Sequence, residues 1–152
     1  MPTNKRIQFT IDIDAPVPVV FRIMLDHESY KDWTTAFAEG SYYVGSWKQG
    51  QKIQFMAPSG DGMVSEIAEH RVNEFTSIRH LGYISKGVED TQSESIRAWA
   101  PAYENYTFVA TAEGTRLVVD QDVTQEFEQY VAGAWPKALQ RLKILCEAGS
   151  VA

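Results

Sequence analysis

The stretch TQEFEQYVAGAWPKALQRLKILCEAG, Thr124 to Gly149, decides how the rest of this chain is read. Phe127, Tyr130, Val131, Ala134, Trp135, Ala138, Leu139, Leu142 and Leu145 recur at steps of three and four, which puts them on one broad face of a single amphipathic helix. Glu126 and Glu128 in the first turn and Lys143 near the end suit the helix dipole, and Gly149 is placed to be the left-handed residue that ends it. Pro136 cannot donate to the carbonyl four residues back, so a kink is expected near Ala132 and Gly133. A face this wide needs a large apolar partner.

The upstream sequence supplies one. Lys5 to Asp14 alternates, with Ile7, Phe9, Ile11 and Ile13 on one side and polar residues on the other, as in a strand with one face buried. Asp14, Pro16 and Pro18 then predict a helix start capped by Asp14, running through Val19, Val20, Ile23 and Met24. A second short helix is expected over Glu28 to Phe37, with Tyr30, Trp33 and Phe37 on one side. From Ser41 the period changes to two. Strands are expected at Ser41 to Trp47, Gln51 to Ala57, Gly62 to Val72, Phe75 to Ile84, Ala102 to Ala112 and Thr115 to Val123. Short turns between them predict antiparallel pairing in one curved sheet. Ser85 to Pro101 is polar, carries Ile96 and Trp99, and is too long for a turn; it is read as a lid or a packed surface loop.

With 152 residues the chain is sized for a single domain, spanning 1–152. A net charge of -6 argues against nucleic acid as a partner, because phosphate affinity comes from Lys and Arg. The single cysteine, Cys146, excludes an internal disulfide and suits a reducing compartment, and no apolar run reaches the ~20 residues of a membrane helix. The expectation is a cytoplasmic protein without membrane insertion. His27, His70 and His80 lack the spacing of metal ligands, so no metal and no cofactor is expected. Nor is there a Gly-x-Ser-x-Gly elbow, and Ser59-Gly60-Asp61-Gly62 is a hairpin turn rather than a phosphate cradle, since no helix follows it.

The order of strand, two helices, six-stranded meander and long terminal helix is joined by local patterns. These are Ala15-Pro16 with Val20-Phe21, Lys31-Asp32-Trp33, Gly45-Ser46-Trp47, Gly114-Thr115-Arg116-Leu117, and the run from Gly133 to Leu142. On these residues the chain resembles the START-like (SRPBCC) helix-grip superfamily, in its heat-shock-protein-90-ATPase-activator-like branch. The resemblance implies an α+β fold, with a curved seven-stranded antiparallel sheet around the C-terminal helix and two short helices between strands one and two. It also implies a cavity between sheet and helix of the kind used for lipids, hormones or polyketides, or, in some branches, for cyclisation. The co-chaperone of that branch joins such a domain to an amino-terminal one with no counterpart here, so its role does not carry over; chaperone contact stays an alternative.

Alternation places Phe55, Ile78, Tyr106, Phe108, Leu117 and Val119 toward Tyr130, Ala134 and Ala138. Two readings stay open: these residues fill an ordinary core, or they leave room for an apolar ligand. On the same registers His80 and Gln121 point inward, either to bond one another, backbone or water, or to meet the polar head of a ligand. Trp33 lies over one end of the cavity in the family arrangement. The expected function is non-catalytic binding of a small hydrophobic, lipid- or polyketide-like molecule; the alternatives are a cyclase- or hydrolase-like enzyme using His80, Gln121 or Tyr106, and an interaction module.

Overall fold

The computed structural model describes residues 4–149. Its elements are β1 (Lys5–Ile13), α1 (Val17–Leu25), α2 (His27–Trp33) followed by a 3-10 turn (Thr34–Ala36), β2 (Tyr42–Gly45), β3 (Lys52–Met56), β4 (Gly62–Arg71), β5 (Phe75–Ser85), β6 (Val88–Asp90), α3 (Glu94–Arg97), β7 (Ala102–Thr111), β8 (Gly114–Val123) and α4 (Gln125–Gly149). The sheet order is β1-β8-β7-β5-β4-β3-β2, with β6 paired to β5 off this path. Every pair is antiparallel. This is the α+β helix-grip arrangement, with α4 packed against β1, β8, α1 and α2.

β1 and β8 pair over their full lengths, and the outward side chains form a ladder. Arg6 Nε donates to Asp122 at 2.8 Å, Gln8 to Asp120 at 2.9 Å and Arg116 Nε to Asp12 at 2.8 Å. These exposed pairs fix register more than they stabilise. The inward face, from Phe9 to Ile13 and from Leu117 to Val123, meets α4.

Several local expectations are corrected. Pro16, not Asp14, is the N-cap of α1, and the Asp14 amide donates to Glu147 of α4 at 2.9 Å. α2 is shorter than expected because Asp26 caps it, accepting from the amides of Glu28 and Ser29, and the chain tightens into the 3-10 turn after Trp33. The break between α1 and α2 is held by the sheet: Tyr43 Oη and Trp47 Nε1 both donate to the Leu25 carbonyl, at 2.6 and 3.1 Å. Gly149 is the last helical residue of α4, without the positive φ expected of a cap.

The segment 85–101 is a flap that carries a strand and a short helix. Lys86 and Gly87 have φ of 50° and 81°, consecutive left-handed residues that turn β5 directly into β6. Gly82 lets β6 come close, since a Cβ there would lie 2.2 Å from the Asp90 carbonyl oxygen. Asp90 then accepts from the amides of Gln92 and Ser93 at 3.0 Å each, leading into α3, which buries Ile96.

The second half of α4 closes a solid core. Ala138, Leu139, Leu142 and Cys146 are essentially inaccessible and pack with Val20, Met24 and Leu117. Burial pushes the Cys146 thiol up to about 12, with the Glu147 charge adding to it, so the sulfur packs as a hydrophobe. Leu142→Ala leaves a void among these side chains and is expected to lower unfolding free energy by about 2–5 kcal/mol in urea titration; a loss under ~1 kcal/mol would contradict tight packing here.

Candidate ligand-binding site

Between the sheet, α2, the flap and the first half of α4 lies a cavity of about 670 Å³. That is within the roughly 300–1,000 Å³ typical of small-molecule sites. The layering of the elements explains its position. Each inward-facing strand contributes core residues at one end and cavity residues at the other: Phe108 then Tyr106, Glu104 and Ala102 on β7; Leu117 and Val119 then Gln121 and Val123 on β8; Ile78 then His80 on β5. α4 does the same, lining the cavity through Phe127, Tyr130, Val131 and Trp135 and the core thereafter.

Six of the residues singled out from the sequence border this space: Trp33, Phe55, His80, Tyr106, Gln121 and Tyr130. The other six do not. Ile78, Phe108, Leu117, Val119 and Ala138 are buried below it in the solid core, on the expected faces but too deep along their elements, and Ala134, level with the lining residues Val131 and Trp135, is buried without bordering the space. Phe108, for instance, packs edge-on against Phe21 of α1, with ring centroids 5.0 Å apart. Phe127 and Tyr130, expected on the buried face of α4, are 54% and 53% exposed and stand at the cavity's rim.

A chain of polar groups runs across three adjacent strands, with His80, Glu104 and Tyr106 on the floor of the cavity and Ser65 buried behind them. Ser65 and His80 oppose one another across β4 and β5, with Ser65 Oγ 2.7 Å from His80 Nδ1. His80 Nε2 lies 3.0 Å from Glu104 Oε1, and Tyr106 Oη donates to Glu104 Oε2. With Nε2–H donating to the carboxylate, Nδ1 accepts from the Ser65 hydroxyl, so both ring nitrogens are engaged. Burial pushes the Tyr106 phenol far above its ordinary value, and the Glu104 charge adds to this. Tyr30 is raised in the same way, first by burial and then by Glu104. Above this chain Trp135 stacks on Trp33 at 5.8 Å, and its Nε1–H donates to Gln121 Oε1.

A register shift explains two lining residues that alternation does not find. Val64 pairs with Gly82 but Ser65 with His80, leaving Leu81 as an extra residue on β5. Beyond this bulge the parity of β5 reverses, and Tyr83 and Ser85 join His80 on the cavity wall. Glu104 is hard to find from sequence because a charged residue on a strand reads as solvent-facing; its i, i+2 spacing with Tyr106 is the available signal. From the flap, Ile96 and Trp99 complete the wall. Among the described residues no group of His, Cys, Asp and Glu could hold a metal ion. Among them, too, no helix is long and apolar enough to cross a membrane.

The model of the family described as "Activator of Hsp90 ATPase homolog 1-like protein" matches residues 14–147. The chain belongs to this family. Its fold is shared with the Aha1 dimer from Colwellia psychrerythraea, at 18% identity and a TM-score of 0.73 over 95% of this chain and 98% of that one. A protein from Mesorhizobium loti superposes with a TM-score of 0.71 at 15% identity, over 95% and 98% of the two chains. DynU16, from the dynemicin biosynthetic locus, gives 0.70 at 15% identity over 95% of this chain and 48% of its own. At these identities the likeness is one of fold. No curated protein matches the chain by sequence.

The raised phenols make a pH prediction. Because Tyr30 and Tyr106 hold their protons more tightly when folded than when unfolded, the stability they support is complete below the ordinary phenol value of about 10 and is lost as pH rises above it. In an alkaline absorbance titration of the seven tyrosines, two are expected to ionise only with loss of the far-ultraviolet circular dichroism signal. Ionisation of all seven in one early wave, with the fold intact, would contradict the burial of this pair.

Proposed function

We propose that this protein binds one small apolar molecule between the concave sheet and the first half of α4, without chemistry of its own. The observation that carries the reading is a cavity of about 670 Å³ whose mainly apolar wall ends on His80, Glu104 and Tyr106, with Ser65 buried behind His80. A mainly apolar concave wall of that extent gives an apolar ligand dispersion contacts and removes its own apolar surface from water. The polar floor offers such a ligand one place to hydrogen-bond, which orients it. The lipid- or polyketide-like class named for this superfamily fits a space of this size.

Binding is favoured over catalysis because Ser65, the one hydroxyl that the His80–Glu104 pair could activate, is fully buried and does not border the cavity, so a bound molecule does not reach it. The cyclase- or hydrolase-like reading rests on the same His80–Glu104 pair and would require the imidazole to turn away from one partner. An Hsp90-type chaperone as partner is supported by the family description alone.

Val131→Phe puts a ring into the cavity from α4. It is expected to weaken binding of the neutral apolar probe N-phenyl-1-naphthylamine by at least about tenfold, with little change in the urea midpoint. Undiminished probe binding in a folded Val131→Phe protein would overturn the assignment of the site to this space.

A further inference from the structure

The charge of the ligand's head group can be read from the cavity wall. Among the described residues that border the cavity there is no Lys and no Arg, whereas four are carboxylates: Asp61, Asp90, Glu104 and Asp122. Three of these are committed elsewhere. Asp122 accepts from Arg6 Nε at 2.8 Å, Asp90 caps the turn into α3, and Asp61 accepts from the Lys86 amide at 3.0 Å.

Glu104 is different. Its side chain is only 15% exposed, and its bonded partners are His80 and Tyr106, neither of them a permanent cation. Each of its oxygens accepts one hydrogen bond there, and a carboxylate has capacity for about four. Room for a further donor is therefore left on the side that borders the cavity. Ten aromatic side chains also line the space, Trp33, Phe37, Tyr106 and Trp135 among them. The faces of such rings attract cations, most strongly when water is excluded.

These features discriminate between head groups. A ligand carboxylate brought to the floor meets the like charge of Glu104 in a low-dielectric space with no Lys or Arg to pair with, so it must take up a proton or stay outside. An ammonium finds an under-committed carboxylate and a lining rich in aromatic rings. We infer that the cavity selects a hydrophobic cation, an amine or quaternary ammonium carried on an apolar body, over a fatty acid of the same size. The inference rests on the binding reading above and adds the sign of the ligand's charge.

The test is displacement of N-phenyl-1-naphthylamine at neutral pH by three chain-matched compounds: decyltrimethylammonium, decanol and decanoate. In the wild-type protein the ammonium is expected to displace the probe at a concentration at least about tenfold below that of the other two. Glu104→Gln is expected to erase the ammonium's advantage over decanol. Decanoate matching or exceeding the ammonium in the wild type would overturn the inference whether or not the variant folds. So would an ammonium advantage that survives in folded Glu104→Gln, since it would then come from the acidic surface. If decanol displaces the probe as well as the ammonium does, the charge selection fails while the cavity reading stands; if the probe itself does not bind, both fail.

Discussion

The packing of Trp135 is the constraint on which the interior depends. Its indole stacks on Trp33 of α2, meets Phe37 edge-on at 5.0 Å and Tyr106 of β7 at 6.0 Å, and gives its N–H to Gln121 of β8. One side chain thus ties α4 to α2 and to two strands, and a buried indole N–H left without an acceptor would be unfavourable. Below Trp135, Ala138, Leu139 and Leu142 bring α4 close to the sheet and fill the interior. Above it, Val131, Tyr130 and Phe127 leave the space open.

That division organises the chemistry. Polar side chains on the inner face of a sheet are unfavourable in a closed core, yet β4, β5 and β7 place Ser65, His80, Glu104 and Tyr106 there. They are tolerated because they satisfy one another across adjacent strands and because the cavity lies in front of them. Glu104 joins His80 to Tyr106, and its charge adds to the burial that raises the phenols of Tyr30 and Tyr106.

How much of this was legible in the sequence follows from what periodicity encodes. The 3.6-residue repeat of α4 and the alternation of β1, β7 and β8 gave element type and inward face, as Leu117, Val119 and Gln121 show by sharing one side of β8. Depth along the element is not encoded. An inward Phe at 108 and an inward Tyr at 106 look equivalent in the pattern, yet one packs against α1 and the other borders open space. The bulge at Leu81 has no signature in composition, so Tyr83 and Ser85 lay outside the alternation. The flap was hidden because its turn is Lys86-Gly87 rather than Asn-Gly, and its strand has three residues. Glu104 was passed over because a lone acidic residue on a strand usually faces water; only tertiary placement brings His80 and Tyr106 to it.

The central claim is that Trp135 separates a filled core from a cavity that takes up an apolar molecule. Side-chain methyl NMR during titration with decanol tests it most directly. Saturable shifts are expected at Val123, Val131, Met63 and Ile96, all on the cavity side, with the methyls of Ile78, Leu117, Val119 and Leu142 unmoved. Shifts of equal size in the second group, or no saturable shift in the first, would contradict it.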